Sequence, residues 1–125
     1  TPPNLQAAVA WGLENAEGWF STMPRGLERS RDRLSEGLKR EGFAVLPAEG
    51  TYFLNLDLTA SGVEASDRDF CLRAVKEAGV AAIPISALYE ENPVTHIVRL
   101  CFSKRDETLD AGIERLARAR DGAPR

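Results

Sequence analysis

Metal and disulfide chemistry have little to work with in this chain. Its 125 residues include two cysteines and one histidine, and no set of them stands at metal-ligand spacing. Cys71 and Cys101 lie far apart in sequence, each among apolar residues, and read as two buried thiols of a reducing compartment rather than as a bridge. No apolar run approaches the roughly 20 residues that a membrane-spanning helix needs. A basic excess is missing too: the formal net charge is −3, which argues against a nucleic-acid-binding face. The opening Thr1-Pro2-Pro3-Asn4, without a Met or a basic segment, shows no signal-peptide pattern. That opening reads as a cut inside a longer protein, and the expected location is the cytoplasm.

What is present suits one globular domain: 43% hydrophobic and 28% charged residues, in a chain long enough for one sizeable core. The two prolines and Asn4, as a cap, announce a helix. Leu5, Ala8, Val9, Gly12 and Leu13 then recur at helical spacing on one face. Trp11, Trp19 and Phe20 add apolar surface that calls for a partner, within this chain or beyond it. Residues 23–41 read as a long helix with a narrow stripe of Met23, Leu27, Leu34 and Leu38. Its remaining face is dense in Arg, Asp and Glu and reads as solvated, with i,i+4 pairs such as Glu36 and Arg40. Gly42 is its stop.

Residues 43–46 read as a short strand ended by Pro47. After Gly50, which frees the backbone for an unusual turn or a close approach, the chain alternates. Tyr52, Leu54, Leu56 and Leu58 form the core face, and Thr51, Phe53, Asn55 and Asp57 the other. Phe53 is the one large apolar residue on that second face, so it meets another element or lines a pocket. Ser66 caps the next helix with Asp69 as its box partner. The buried stripe there is Phe70, Cys71, Ala74, Val75 and Ala78, and Gly79 ends it. Residues 80–83 form a strand closed by Pro84, 86–90 a helical turn, and 95–102 the last strand. In that strand Val98, Leu100 and Phe102 face inward, while Ile97, Arg99 and Cys101 face the other way. Ser103 or Asp106 caps a final helix to about Arg120, with Leu109, Ile113 and Leu116 inward, and residues 121–125 read as a frayed tail. Strands with helices to one side predict an α+β two-layer sandwich on a mostly antiparallel sheet of about four strands.

Arg99 is the residue in need of an explanation. A guanidinium keeps its charge, so within a strand of apolar residues it requires an anion or a set of acceptors. One reading is structural: a snorkelling side chain, or an internal ion pair with Glu49, Asp57 or Glu90. The other is a fork-shaped clamp whose two parallel N–H donors match a ligand carboxylate. Other chemistry is thin. Ser86 lacks the context of a nucleophile, and His96 reads as a sheet-surface residue. Lys39, Lys76 and Lys104 stand on or beside charged helices, without the apolar surroundings that prepare a lysine for covalent catalysis.

Four stretches, in order and at plausible spacings, resemble the C-terminal part of a class I/II pyridoxal-phosphate aminotransferase of the kynurenine, methionine and glutamine transaminase branch. They are Thr1-Pro2-Pro3-Asn4-Leu5-Gln6-Ala7-Ala8-Val9-Ala10-Trp11-Gly12-Leu13, Gly50-Thr51-Tyr52-Phe53, Val80-Ala81-Ala82-Ile83-Pro84-Ile85-Ser86-Ala87-Leu88-Tyr89 and Val98-Arg99-Leu100-Cys101-Phe102-Ser103-Lys104. The resemblance implies that residues 1–22 end the larger domain and linker, and that 23–125 form the small domain with its long leading helix. It implies that Arg99 binds the substrate carboxylate, with Gly50 and Phe53 as further substrate-side residues. The substrates would be an amino acid and a 2-oxo acid. The family's cofactor lysine, pyridine-facing aspartate and phosphate cup lie upstream of the resembling region. This stretch by itself is therefore expected to bind no pyridoxal phosphate and to be inactive, and the whole enzyme is expected to be a homodimer. The rival expectation is a free-standing α+β module that binds a small carboxylate and regulates something else.

Overall fold

Two helices lead the chain. In the computed structural model, which describes residues 1–122, α1 (Pro3–Asn15) and α2 (Glu17–Arg40) meet at Ala16. Pro3 occupies the first helical position, where its missing N–H is no loss. That moves the cap back to Pro2 and leaves Asn4 inside the first turn, without the capping role expected of it. No residue of α1 is buried, and Leu5, Val9, Trp11 and Leu13 are all exposed. α2 starts at Glu17, ahead of the expected Met23, and so carries Trp19 and Phe20. Pro24 lies inside it, in the exposed leading turns where water can serve the carbonyl that a proline leaves unpaired.

The end of α2 is set by Gly42, whose φ of +81° is easy only for glycine. Gly42 N–H donates to Lys39 O and Phe43 N–H to Leu38 O, both at 3.0 Å. This is a Schellman closure, with buried Phe43 and Leu38 as its apolar pair. The charged face of α2 is less solvated than the sequence suggests. Arg33 donates twice to the Asp110 carboxylate, at 2.8 and 2.6 Å, and reaches Asp106 at 3.5 Å. Arg31 pairs with Asp32 and Glu28 and donates to Ala48 O.

The sheet holds β1 (Ala44–Val45), β2 (Phe53–Asp57), β3 (Ile83–Pro84) and β4 (Ile97–Cys101) in the order β1-β2-β4-β3, every pairing antiparallel. The strands are shorter than the alternation predicts, but hydrogen bonding continues past their ends. Leu46 N–H donates to Asn55 O, Leu58 N–H to His96 O and Phe102 N–H to Tyr52 O. Tyr52 is not a core residue: it precedes β2 and is exposed.

α3 (Asp67–Arg73) begins as expected, with Ser66 Oγ accepting from Asp69 N–H. It opens into a wider π-type turn over Ala74–Ala78 and stops at Gly79. The change of pitch rotates Val75 out of the buried stripe, and its side chain is exposed. A 3-10 turn, Ile85–Leu88, follows β3. α4 (Asp106–Asp121) has Arg105 at its cap position and no capping side chain, so neither Ser103 nor Asp106 plays that part. Of the expected tail, Asp121 closes α4 and Gly122 caps it; residues 123–125 lie outside the described residues.

One core joins these layers. Leu54, Leu56, Leu58, Val98, Leu100 and Phe102 from the sheet meet Leu34 and Leu38 of α2, Phe70 and Cys71 of α3, and Leu109, Ile113 and Leu116 of α4. Each fully buried Leu, Val or Phe contributes on the order of 1.5–3 kcal/mol. The fold is the expected α+β two-layer sandwich. α2, α3 and α4 pack on the Leu54 face, and among the described residues the Phe53 face carries no helical layer.

Candidate carboxylate site

β4 is an interior strand, paired with β2 on one side and β3 on the other. Arg99 lies at its centre, opposite Asn55 of β2 and Ile83 of β3. Strand alternation puts Val98 and Leu100 into the core and turns Arg99 to the open face, where it is half-buried. Its guanidinium carbon stands 4.3 Å from the centroid of the Phe53 ring. Phe53 opposes Cys101 in the register, so the arginine leans diagonally across the ladder onto the ring.

None of the internal ion pairs open to Arg99 forms. Among the described residues the salt bridges involve Arg29, Arg31 and Arg33, and Glu49, Asp57 and Glu90 take no part. Arg99 Nε is buried and has no hydrogen-bond partner. The guanidinium is thus half-buried over an aromatic ring, with Nε unserved and no acid of the described residues paired with it.

Phe53 and Arg99 are thus brought together, and Gly50 is not. Gly50 is exposed, and a Cβ placed there would meet nothing within 4 Å. It lines a separate surface cleft with Met23, Leu27, Tyr52 and Phe102. The left-handed residue of that turn is its neighbour Thr51, at φ 59°. The backbone freedom expected at Gly50 is therefore not used at Gly50.

A buried brace beside the site escaped the sequence reading. Asp67, the first residue of α3, is wholly buried. Its carboxylate accepts from Ser86 N–H at 2.7 Å, Ser86 Oγ at 2.9 Å and Arg68 N–H at 2.9 Å. Its own N–H donates to Thr95 O at 2.7 Å. One residue therefore ties together the turn that follows β3 and the lead into β4, the two strands that meet at Arg99. An aspartate at the first helical position is common enough to pass as a dipole partner. Only its nineteen-residue reach to Ser86 marks it as a brace.

Cys71 is a buried free thiol of the core, whereas Cys101 is free but half-buried, on the Arg99 face. Burial, helped by the negative charge of Asp67, pushes the Cys71 thiol up to about 11. Lys39, Lys76 and Lys104 are all exposed. No group of three or more His, Cys, Asp or Glu side chains among the described residues could hold a metal ion. No helix among them is long and apolar enough to cross a membrane.

Comparison with known proteins gives the family of the chain. The family model described as aminotransferase class I and II matches residues 2–116. A probable N-succinyldiaminopimelate aminotransferase of Mycobacterium tuberculosis is 40% identical over 122 residues, covering 90% of this chain and 30% of that protein. The methionine aminotransferase of Escherichia coli is 38% identical over 112 residues, covering 89% and 28%. Among solved structures, the N-succinyldiaminopimelate aminotransferase from M. tuberculosis superposes with a TM-score of 0.83 at 42% identity, over 91% of this chain and 30% of that one. The chain spans about a third or less of the length of these relatives. By its sequence and its fold, it belongs to the class I and II aminotransferase family.

Proposed function

We propose that the chain is the C-terminal, small-domain part of a pyridoxal-phosphate-dependent aminotransferase, and that Arg99 binds the carboxylate shared by its amino-acid and 2-oxo-acid substrates. The observation that carries this reading is the unpaired guanidinium of Arg99, laid on Phe53 at the centre of an open sheet face. Both substrates of a transamination carry a carboxylate next to the reacting carbon. A fork that grips it serves both half-reactions and sets which bond at that carbon faces the cofactor. The Phe53 ring keeps the fork from swinging and excludes water from one of its faces.

The residues described here do not fit the cofactor's covalent anchor. All three lysines are exposed, with Lys39 and Lys76 on the helical layer and Lys104 at the head of α4. The anchor belongs in this reading to the remainder of the enzyme, which also supplies the other wall of the site, and this chain's share is orientation. Residues 1–22 would close the larger domain and 23–125 would form the small one. The exposed apolar residues of α1 and early α2 would then pack on the rest of a cytoplasmic homodimer. Gly50, in its separate cleft, would meet the substrate side only where the missing wall adjoins that cleft.

A free-standing regulatory module is the weaker reading, because the family match runs through α1 as well as the sheet. The test is the full-length enzyme with Arg99→Ala. Losing one partner of a desolvated charge pair costs roughly 2–5 kcal/mol, or about 30-fold to several-thousand-fold in kcat/KM for amino acid and oxo acid alike. Unchanged turnover would remove Arg99 from the site.

A further inference from the structure

Three buried side-chain polar atoms among the described residues lack a hydrogen-bond partner: Arg73 Nε, Arg99 Nε and Asn55 Oδ1. The last two belong to residues directly opposite each other on β4 and β2. Both residues are half-buried and stand on the open face of the sheet. Opposed side chains in an antiparallel pair have Cβ atoms about 4.5–5.5 Å apart. A donor and an acceptor at that separation would ordinarily satisfy each other. Here they do not, because the guanidinium is drawn along the diagonal to Phe53. Asn55 is thus a polar side chain at the edge of the clamp with an unserved end, in a strand whose inward residues are Leu54 and Leu56.

We propose that Asn55 supplies a further hydrogen bond to the carboxylate seated on Arg99, an assignment that rests on the clamp reading above. The chemistry follows from what each group can donate. A carboxylate presents about four lone-pair positions, and an arginine fork occupies two of them. A carboxylate seated on the guanidinium lies over the open face, on the same side of the sheet as the side chain opposite. Nδ2 of Asn55 makes no hydrogen bond and is not among the buried orphaned atoms, so the open end of this amide is its donor. That donor is free for the bound oxygen. The ligand is then held by the open ends of the Arg99 guanidinium and by the Asn55 amide at once. The consequence is specificity. A single fork tolerates rocking of the carboxylate about its axis, whereas a third donor from a different strand fixes its plane.

The experiment measures the inhibition constant of 3-phenylpropionate, an unreactive carboxylate without an amino group, on the full-length enzyme and its Asn55→Leu, Asn55→Asp and Arg99→Ala variants. Thermal melting of each establishes that it is folded. Asn55→Leu keeps the side chain's approximate volume and removes the hydrogen bond; it should weaken inhibition about 10-fold, the effect of one charge-assisted hydrogen bond. The KM values of amino acid and oxo acid should rise in the same proportion. Asn55→Asp keeps the shape and places a negative charge against the ligand, so it should weaken inhibition more than Asn55→Leu does. Should Arg99→Ala abolish inhibition while both Asn55 variants bind as well as the parent, the clamp stands and Asn55 has no part in it. An Asn55→Asp enzyme that binds as tightly as the parent also overturns the proposal, because it would mean the amide acts as an acceptor. If Arg99→Ala leaves inhibition intact, the clamp reading itself has failed and the Asn55 assignment falls with it.

Discussion

Replacing Phe53 with leucine tests whether the aromatic ring acts on the substrate directly or through Arg99. The guanidinium carbon lies 4.3 Å from the ring centroid, well inside the range of a cation–π contact, and both residues are half-buried. Such contacts run from about 0.5–1 kcal/mol when exposed to about 2 kcal/mol when desolvated, so a half-buried one is worth about 1 kcal/mol. A second route gives a similar figure. Without the ring the guanidinium is free to sample rotamers, and fixing it on binding costs up to about 1.5–2 kcal/mol of side-chain entropy. Leucine preserves apolar bulk, so the expected loss in carboxylate affinity is about fivefold, with about 1.4 kcal/mol corresponding to a factor of ten. The assay is the inhibition constant of 3-phenylpropionate on the full-length enzyme, read as a double-mutant cycle with Arg99→Ala. If the ring is a platform for the guanidinium, Phe53→Leu should have almost no effect once Arg99 is gone. An equal loss with and without Arg99 would refute that reasoning and make Phe53 a wall for the substrate's side chain.

Three further outcomes are expected of the enzyme carrying this chain. Asp67→Ala strands the buried donors of Ser86 and removes the acceptor of the Arg68 N–H, and should destabilise the protein by about 3 kcal/mol, while Ser86→Ala should cost about 1 kcal/mol; urea unfolding measures both, and equal losses would mean that the carboxylate is not the centre of the brace. Asp110 is held below the usual carboxylate range, first by its hydrogen bonds to Arg33, with burial opposing and the attraction of the Arg33 charge adding to them. Its folded pKa lies below the unfolded one, so its stabilisation is complete above the unfolded value and is lost as pH falls through the folded value. Melting temperatures of the parent and Asp110→Asn should therefore differ at neutral pH and converge in acid, and a gap that persists in acid would contradict this. Cys71, with its thiol pushed up to about 11, should resist iodoacetamide at pH 8 until the protein is unfolded. Mass spectrometry of the labelled peptides decides it, and rapid labelling of the folded protein would show that the core opens there.

Much of this protein was legible wherever the physics is local. The stop of α2 at Gly42 depends on one left-handed residue and two backbone hydrogen bonds within six residues. The Ser66 cap depends on an amide three residues on. Alternation alone assigned Leu54, Leu56, Val98 and Leu100 to one face and Phe53, Asn55 and Arg99 to the other, because side chains in a strand change sides at every residue. The same rule failed at Tyr52, which lies just outside the strand. It failed at Val75 as well, where a wider turn shifts the helical phase.

What the sequence could not decide is who stands beside Arg99. Its candidate ion-pair partners were acids at plausible distances along the chain, yet the register of β2 on β4 sets Asn55 opposite and Phe53 on the diagonal. Pairing between strands some forty residues apart is chosen by the fit of the whole core, not by any preference written at either strand. The Asp67 brace is non-local for the same reason: a buried carboxylate needs donors, and folding supplied them from the far side of a helix and a strand. The arginine itself was visible in the sequence. Its ring, its neighbour and its unserved donor were settled only when the sheet closed around it.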